Sequence, residues 1–193
     1  MGILSTLSTG QGYLKAGFLG FAGSGKTHTA MLLAIGMRKH FNLVGPIVFY
    51  DTESGSQYWA PRVREATGKD LLGTRSRSFS DLLDATHEAE QIAASVLIVD
   101  SITHVWREVC AAYLKQVNDA LKRKNKPEKI RLEFQDWASI KDKWNEWPEL
   151  YLNSKLHIII CGRAGYEWEF EEREDARGQS FKELVKVGTK MKV

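Results

Sequence analysis

One short stretch near the start of the chain constrains its fold more than any other feature. Residues 20–27 read Gly-Phe-Ala-Gly-Ser-Gly-Lys-Thr and fit the pattern G-x-x-x-x-G-K-[ST]. An apolar run at 16–21 predicts a buried strand before it, and apolar residues at helical spacing over 30–37 predict a helix after it. The backbone N–H groups of such a glycine-rich turn and the helix N-terminus bind phosphate oxygens. The sequence therefore predicts a unit that binds a nucleoside triphosphate, which we expect to be ATP.

Two side chains of this loop have predicted roles of their own. Lys26 is expected to reach the β- and γ-phosphates, and Thr27 is expected to offer its hydroxyl to Mg²⁺. The predicted nucleotide-binding residues are Gly20, Phe21, Ala22, Gly23, Ser24, Gly25, Lys26, Thr27 and His28.

The composition predicts one globular domain over residues 1–193. Hydrophobic residues make up 43% of the 193 positions and charged residues 26%, which is enough for a full core. No apolar run approaches the ~18–20 residues of a membrane span, and no secretory leader is recognisable. The two cysteines, Cys110 and Cys161, lack metal-type spacing and suit a reducing compartment. We therefore expect a cytoplasmic protein with no membrane partner.

Short apolar runs alternate with helical patterns along the chain. Runs at 46–50, 96–99 and 156–161 predict three more strands, and 75–79 is a candidate for another, with Ser80 capping the helix that follows. Such alternation is typical of an α/β fold with a central, mostly parallel sheet flanked by helices. Apolar spacing predicts a long helix over 106–121 and another over 137–151, which Pro148 is expected to kink or divide. We interpret the tryptophans of these helices as core residues.

The last segment, about 165–193, has a period of two. Tyr166, Trp168 and Phe170 alternate with glutamates, and later valines, a threonine and a methionine alternate mainly with lysines. This predicts a C-terminal β-hairpin with its tip near 173–180, glutamates facing lysines and aromatic residues facing valines. The sequence stops inside the second strand without a turn or cap, which leaves open that a C-terminal piece follows.

Carboxylates follow two of the predicted strands. Asp100 ends the strand at 96–99, and it is expected to hold Mg²⁺ directly or through water. The next residue is Ser101 rather than glutamate, which we take as an argument against the helicase and AAA+ pattern. Asp51 and Glu53 follow the strand at 46–50, so both are expected at the same edge of the sheet as the phosphate loop. Without further context, this pair is also compatible with a loop or helix cap.

The order of these motifs resembles the RecA-type recombinase ATPase core. A phosphate loop precedes a strand ending Asp-x-Glu and a strand ending Asp-Ser, and the match runs from Gly20 to about Arg163. The segments 132–144 and 158–164 are similar to phage and prophage RecA-like ATP-binding proteins, including single-strand annealing ATPases. The resemblance implies an ATPase that uses Mg²⁺, with Glu53 activating water and Arg163 sensing the γ-phosphate. It also implies adenine stacking on Tyr58 or Trp59, assembly into a homo-oligomeric ring or filament, and a bacterial host cytoplasm if a phage encodes the chain.

The same resemblance implies work on single-stranded DNA in phage recombination or repair, by strand annealing or exchange. A run at 122–131, with six basic residues and one acidic residue, is the best candidate for phosphate-backbone contact, although taken alone it is better explained as a solvated helix end and loop. The acidic segment at 166–180 argues against DNA contact. Two other functions stay open: a small phosphotransferase acting on a metabolite, and a non-hydrolysing assembly protein that depends on ATP.

Overall fold

Five parallel strands form the centre of the molecule, in the order β1-β5-β4-β2-β3, and a sixth strand, β6, pairs antiparallel with β5. The computed structural model describes residues 12–174 and 180–191. The strands are β1 (Lys15–Gly20), β2 (Ile47–Asp51), β3 (Leu72–Arg75), β4 (Val96–Asp100), β5 (Ile158–Glu174) and β6 (Ser180–Met191). The helices are α1 (Lys26–His40), α2 (Ala60–Thr67), α3 (Phe79–Gln91), α4 (Ile102–Arg123) and α5 (Asp136–Asn153). The predicted α/β class, parallel sheet and C-terminal hairpin are confirmed.

Helices cover both faces of the sheet, which is why its central strands are apolar throughout. Every residue of β2 and β4 is buried. Along β2, Ile47 and Phe49 pack toward α1 and α2, whereas Val48 and Tyr50 pack toward α3, α4 and α5. None of the described helices is long and apolar enough to cross a membrane.

The strand register brings the chemical groups to one edge of the sheet. Asp51 lies opposite Asp100 in the β2–β4 pair, and Gly20 lies opposite Arg163 in the β1–β5 pair. Because the strands are parallel, their carboxyl ends meet at the same edge, where α/β proteins bind ligands. The phosphate loop and the residues after β2, β4 and β5 therefore converge there.

The tryptophans of α4 and α5 pack together, as predicted. The Trp106 ring lies 6.3 Å from that of Trp137 and 5.0 Å from that of Trp144, against the buried core. Further along α4, the Tyr113 hydroxyl contacts Asp136 at the start of α5 (3.4 Å), so the two helices run antiparallel. The expected division at Pro148 is wrong, because α5 continues through it to Asn153.

Two local predictions before β4 are also wrong. The edge strand β3 covers Leu72–Arg75 rather than 75–79, and α3 begins at Phe79 with Ser78 as its N-cap instead of Ser80. The Ser78 hydroxyl accepts a hydrogen bond from the Asp81 N–H (3.3 Å). Burial of Phe79 in the core explains the shift, since the helix must start early enough to present that ring inward.

A β-bulge changes the predicted faces of the hairpin. Near the sheet, Tyr166 pairs with Thr189, and the Glu167 carboxylate binds the Lys190 ammonium (3.1 Å) as expected. Beyond the register shift after Glu167, Trp168 opposes Lys186. The bulge inserts one extra residue into β6 and exchanges its faces, so the expected glutamate–lysine and aromatic–valine pairing is wrong from Trp168 to Glu171. Residues 175–179 of the predicted tip lie outside the described residues.

Replacing Ile98 with alanine should lower the free energy of unfolding by ~2–5 kcal/mol, because it leaves a cavity in the fully buried strand β4. Denaturant unfolding measures this loss. The matched control Leu32→Ala removes a similar side chain from the exposed face of α1 and should cost less than ~0.5 kcal/mol. Equal losses in the two variants would contradict the assignment of β4 to the core.

Candidate nucleotide site

The phosphate loop joins β1 to α1 in the conformation that its glycines permit. Gly23 and Gly25 have φ angles of 77° and 84°, in the left-handed region that favours glycine. Gly25 is the N-cap of α1, with no side-chain hydrogen bond to the cap and no acidic residue in the first turn. The first amides of α1 and the positive end of its dipole thus suit an anion.

The Lys26 side chain lies over this loop. Its ammonium group donates a hydrogen bond to the Phe21 carbonyl oxygen at 2.8 Å. A backbone carbonyl is a modest partner for an ammonium group, whereas phosphate oxygens are both charged and multiple. Lys26 is therefore placed where it can exchange that carbonyl for a phosphate.

Thr27 and Asp100 meet directly. The Thr27 hydroxyl donates a hydrogen bond to an Asp100 carboxylate oxygen. Burial raises the pKa of Asp100 above its ordinary value, and the hydrogen bond from Thr27 counteracts this only in part. A carboxylate whose charge is costly gains from a nearby cation, so the pair suits a divalent metal.

The donor set fits Mg²⁺ bound together with a nucleotide. Mg²⁺ prefers oxygen ligands and is commonly held by one or two protein groups plus phosphate and water. Thr27 and Asp100 supply one hydroxyl and one carboxylate. Among the described residues, no group of three or more His, Cys, Asp or Glu could hold a metal alone. Any ion here would need further ligands from the phosphates.

Asp51 and Glu53 have different surroundings. Burial raises the pKa of Asp51, but hydrogen bonds from Ser56 and from the Glu53 backbone outweigh this and lower it. The Asp51 carboxylate accepts from the N–H groups of Glu53 (2.9 Å) and Ser56 (2.8 Å). Asp51 therefore caps the turn after β2, while the Glu53 side chain extends from that turn.

Arg163 forms a bidentate ion pair with Glu53. Its Nε and Nη2 atoms lie 2.9 and 2.8 Å from the two carboxylate oxygens. The hydrogen bond from Arg163 is the main reason that the pKa of Glu53 lies below its ordinary value. The Arg163 backbone N–H donates to Thr103 at 2.9 Å, which ties this point of β5 to α4. The structure thus brings the two predicted residues together as an ion pair.

His104 is a site residue that the sequence reasoning missed. It lies in the first turn of α4, and its Nδ1 atom is 3.8 Å from Glu53 Oε1 and 2.8 Å from Thr52 Oγ1. The sequence holds one indication of this role, because His104 lies four residues after Asp100, in the first turn of the helix that follows the strand. Such a turn lies at the same edge of the sheet as the carboxyl end of that strand.

The two candidates for adenine stacking lie in different environments. Trp59 is buried, with its ring 5.2 Å from that of His28 and 5.3 Å from the Arg62 guanidinium. Tyr58 is exposed at the end of a short 3₁₀ turn. Trp59 thus contacts the last predicted nucleotide-binding residue, and Tyr58 has a face free for contact with solvent.

Comparison with known proteins points to one family. A family model described as an AAA domain matches residues 13–191, which is nearly the whole chain. A search of curated proteins finds no match. Our expectation that Ser101 argues against the AAA pattern is therefore corrected, because an aspartate followed by serine is compatible with this AAA family.

Replacing Arg163 with glutamine should raise the pKa of Glu53 toward its ordinary range, as measured by NMR of the carboxyl carbon. The lowered pKa means that the ion pair stabilises the fold above the unfolded pKa and loses this effect as the pH falls. The free energies of unfolding of wild type and variant should converge as the pH falls from the ordinary glutamate pKa of about 4.3 through the lower pKa of Glu53.

The control Arg64→Gln removes an exposed ion pair with Asp70 and should leave the Glu53 titration unchanged. The same Glu53 pKa in the wild type and in both variants would rule out the ion pair.

Proposed function

Because the chain belongs to this AAA domain family of P-loop ATPases, we propose that it is an Mg²⁺-dependent ATPase with a RecA-like site. One observation carries the proposal. An ionised carboxylate, that of Glu53, lies at the sheet edge where Lys26 and the Thr27–Asp100 pair also lie. Phosphate binding needs only the loop, whereas hydrolysis also needs a group that orients water.

In the proposed reaction, water attacks the γ-phosphorus in line with the bond to the β-phosphate oxygen. That bond breaks, ADP and inorganic phosphate leave, and Glu53 takes up the proton of the water. Lys26 moves from the Phe21 carbonyl to the β- and γ-phosphates, and the loop amides bind their oxygens. Thr27 and Asp100 would hold Mg²⁺, which would neutralise developing phosphate charge.

Arg163 has two competing partners in this scheme. While its guanidinium group contacts both carboxylate oxygens of Glu53, the carboxylate is poorly available to water. A γ-phosphate is a stronger acceptor for a guanidinium group, so nucleotide binding would draw Arg163 away from Glu53. We infer that Arg163 senses the γ-phosphate and frees the base in the same movement.

We further propose that the ATPase acts on single-stranded DNA, as its resemblance to phage annealing ATPases suggests. On the hairpin, Tyr166, Trp168 and Phe170 share one face, with Trp168 50% and Phe170 70% exposed. The bulge adds Lys186 to that face, where its ammonium lies 3.5 Å from the centre of the Tyr166 ring. Exposed aromatic rings beside lysines are the usual platform for unstacked bases.

The charges of the hairpin support the same proposal. Glu167, Glu169 and Glu171 lie on the opposite face of β5 from the aromatic residues, since side chains alternate along a strand. Glu172 lies on the aromatic face by the same alternation, but it is opposite Lys182, whose ammonium is 3.9 Å from the Glu172 carboxylate and offsets its charge.

A second surface with similar chemistry follows α4. Ile130 and Phe134 are 97% and 94% exposed, beside the basic run 122–131. Within this run, Lys129 is engaged in ion pairs with Glu133 and Asp136, and the other basic residues are exposed. Exposed basic side chains around an exposed aromatic ring suit the backbone and bases of a single strand.

A homo-oligomer, ring or filament, completes the proposal. Leu19 and Phe21 are exposed beside the phosphate loop, and the Phe21 ring lies 4.9 Å from that of Tyr166. A second copy that covers these apolar side chains would adjoin the nucleotide, which would make hydrolysis depend on assembly.

Changing Glu53 to glutamine should preserve ATP binding and abolish turnover, because the amide keeps the shape of the carboxylate but cannot take up a proton. Release of inorganic phosphate and binding of a fluorescent ATP analogue measure the two effects. The control Glu65→Gln alters an exposed carboxylate of α2 and should hydrolyse ATP like the wild type. Undiminished hydrolysis by the Glu53 variant would refute the assignment, and phosphate transfer to a metabolite would favour a phosphotransferase.

Trp168→Ala and Phe170→Ala should each weaken binding to a labelled oligothymidylate by roughly 5- to 150-fold, which corresponds to ~1–3 kcal/mol of lost stacking. Fluorescence anisotropy at two salt concentrations measures this loss and the electrostatic part of binding. Phe41→Ala, which removes an exposed ring at the end of α1, is the matched control and should bind normally. Wild-type affinity in both hairpin variants would exclude the aromatic face as the DNA surface.

A further inference from the structure

Thr52 fixes the His104 imidazole through one short hydrogen bond. The Thr52 hydroxyl oxygen accepts from the Ser101 N–H at 2.7 Å, and it lies 2.8 Å from His104 Nδ1 and 3.4 Å from the Ser101 carbonyl oxygen. The Thr52 hydroxyl can donate its one proton either to Nδ1 or to the Ser101 carbonyl oxygen, and in the second case Nδ1–H donates to Thr52. In both tautomers of the neutral ring, this hydrogen bond holds Nδ1 at Thr52.

The surroundings of the ring favour this neutral form. The side chain is only 11% exposed. Burial lowers the pKa of His104, and the guanidinium groups of Arg163, Arg77 and Arg107 lower it further against the opposing effect of Glu53. A neutral His104 ring adds no second positive charge beside the Glu53 carboxylate.

Once Arg163 has left Glu53, another group must fix the direction of the carboxylate. Its backbone N–H donates to Asp51, but the side-chain hydrogen bond and the second close ion-pair contact found among the described residues both come from Arg163. The His104 ring then stands 3.8 Å from Oε1 and limits how far the carboxylate can turn toward α4. Small errors in the position of a reacting group are costly to rate.

We propose that His104 is a positioning residue for Glu53, held in place by Thr52 so that the carboxylate stays directed at the nucleotide once Arg163 has moved. This inference rests on the proposed function, because only an ATPase gives Glu53 a water molecule to orient. His104 acts through Glu53 and contacts neither the nucleotide nor the water.

The test compares three variants by steady-state ATP hydrolysis. His104→Leu should lower kcat by roughly 10- to 100-fold with little change in KM, because the carboxylate is misdirected while the phosphate loop is intact. His104→Asn should recover most of that loss, since its amide can donate or accept a hydrogen bond with the Thr52 hydroxyl near the position of Nδ1. The control His87→Leu alters an exposed histidine of α3 and should behave like the wild type. Wild-type kcat in His104→Leu, or no recovery with asparagine, would overturn the proposal.

If His104→Leu does not fold, Thr52→Val tests the same contact between Thr52 and His104. It should lower kcat at least as much as His104→Leu does, because it also removes the acceptor of the Ser101 N–H. Adding His104→Leu to Thr52→Val should then lower kcat no further, because the link to His104 is already broken. Additive losses would show that the two residues act separately and would overturn the proposal.

An NMR titration of the imidazole separates this inference from the proposed function. Because the Glu53 charge raises the pKa of His104, Glu53→Gln should lower that pKa further, whether or not the protein hydrolyses ATP. A wild-type protein without turnover would overturn the proposed function and the positioning role with it. An unchanged imidazole pKa in the Glu53 variant would overturn the contact itself.

Discussion

The parallel pairing of β1, β5, β4 and β2 is the constraint on which the rest of the structure depends. It sets Gly20 beside Arg163 and Asp51 beside Asp100, so that groups distant in sequence share one edge of the sheet. The buried strands β2 and β4 hold this register because a slip of one residue would exchange the apolar faces that α1–α2 and α3–α5 cover. The site is thus a consequence of core packing, and its geometry is as rigid as the sheet.

The Glu53–Arg163 ion pair links the activation of water to the sensing of the γ-phosphate in the proposed mechanism. Arg163 lies where β5 leaves the central sheet, and the same strand continues without a break into the hairpin. A ligand that shifts the hairpin would therefore act on the residue that holds Glu53. Because the pair is only partly buried, it contributes little stability, which suits a contact that has to be exchanged in the proposed mechanism.

The hairpin shows how a single inserted residue changes the surface that a sequence presents. With a regular register, lysines would have faced glutamates. The bulge after Glu167 instead places Lys186 with Trp168 and Tyr166. The aromatic face thus gains a basic side chain.

The sequence by itself determined the strand–loop–helix unit at Gly20–Thr27, the α/β class and the order of the acidic strand ends, because each depends on local pattern and spacing. It also indicated the hairpin, from its period of two. Tertiary structure decided which groups meet. The ion pair of Arg163 with Glu53 joins residues 110 positions apart, and the His104–Thr52 contact depends on how α4 leaves β4. The start of α3, the continuity of α5 through Pro148 and the bulge in β6 were decided by core packing and strand pairing, which no local pattern encodes.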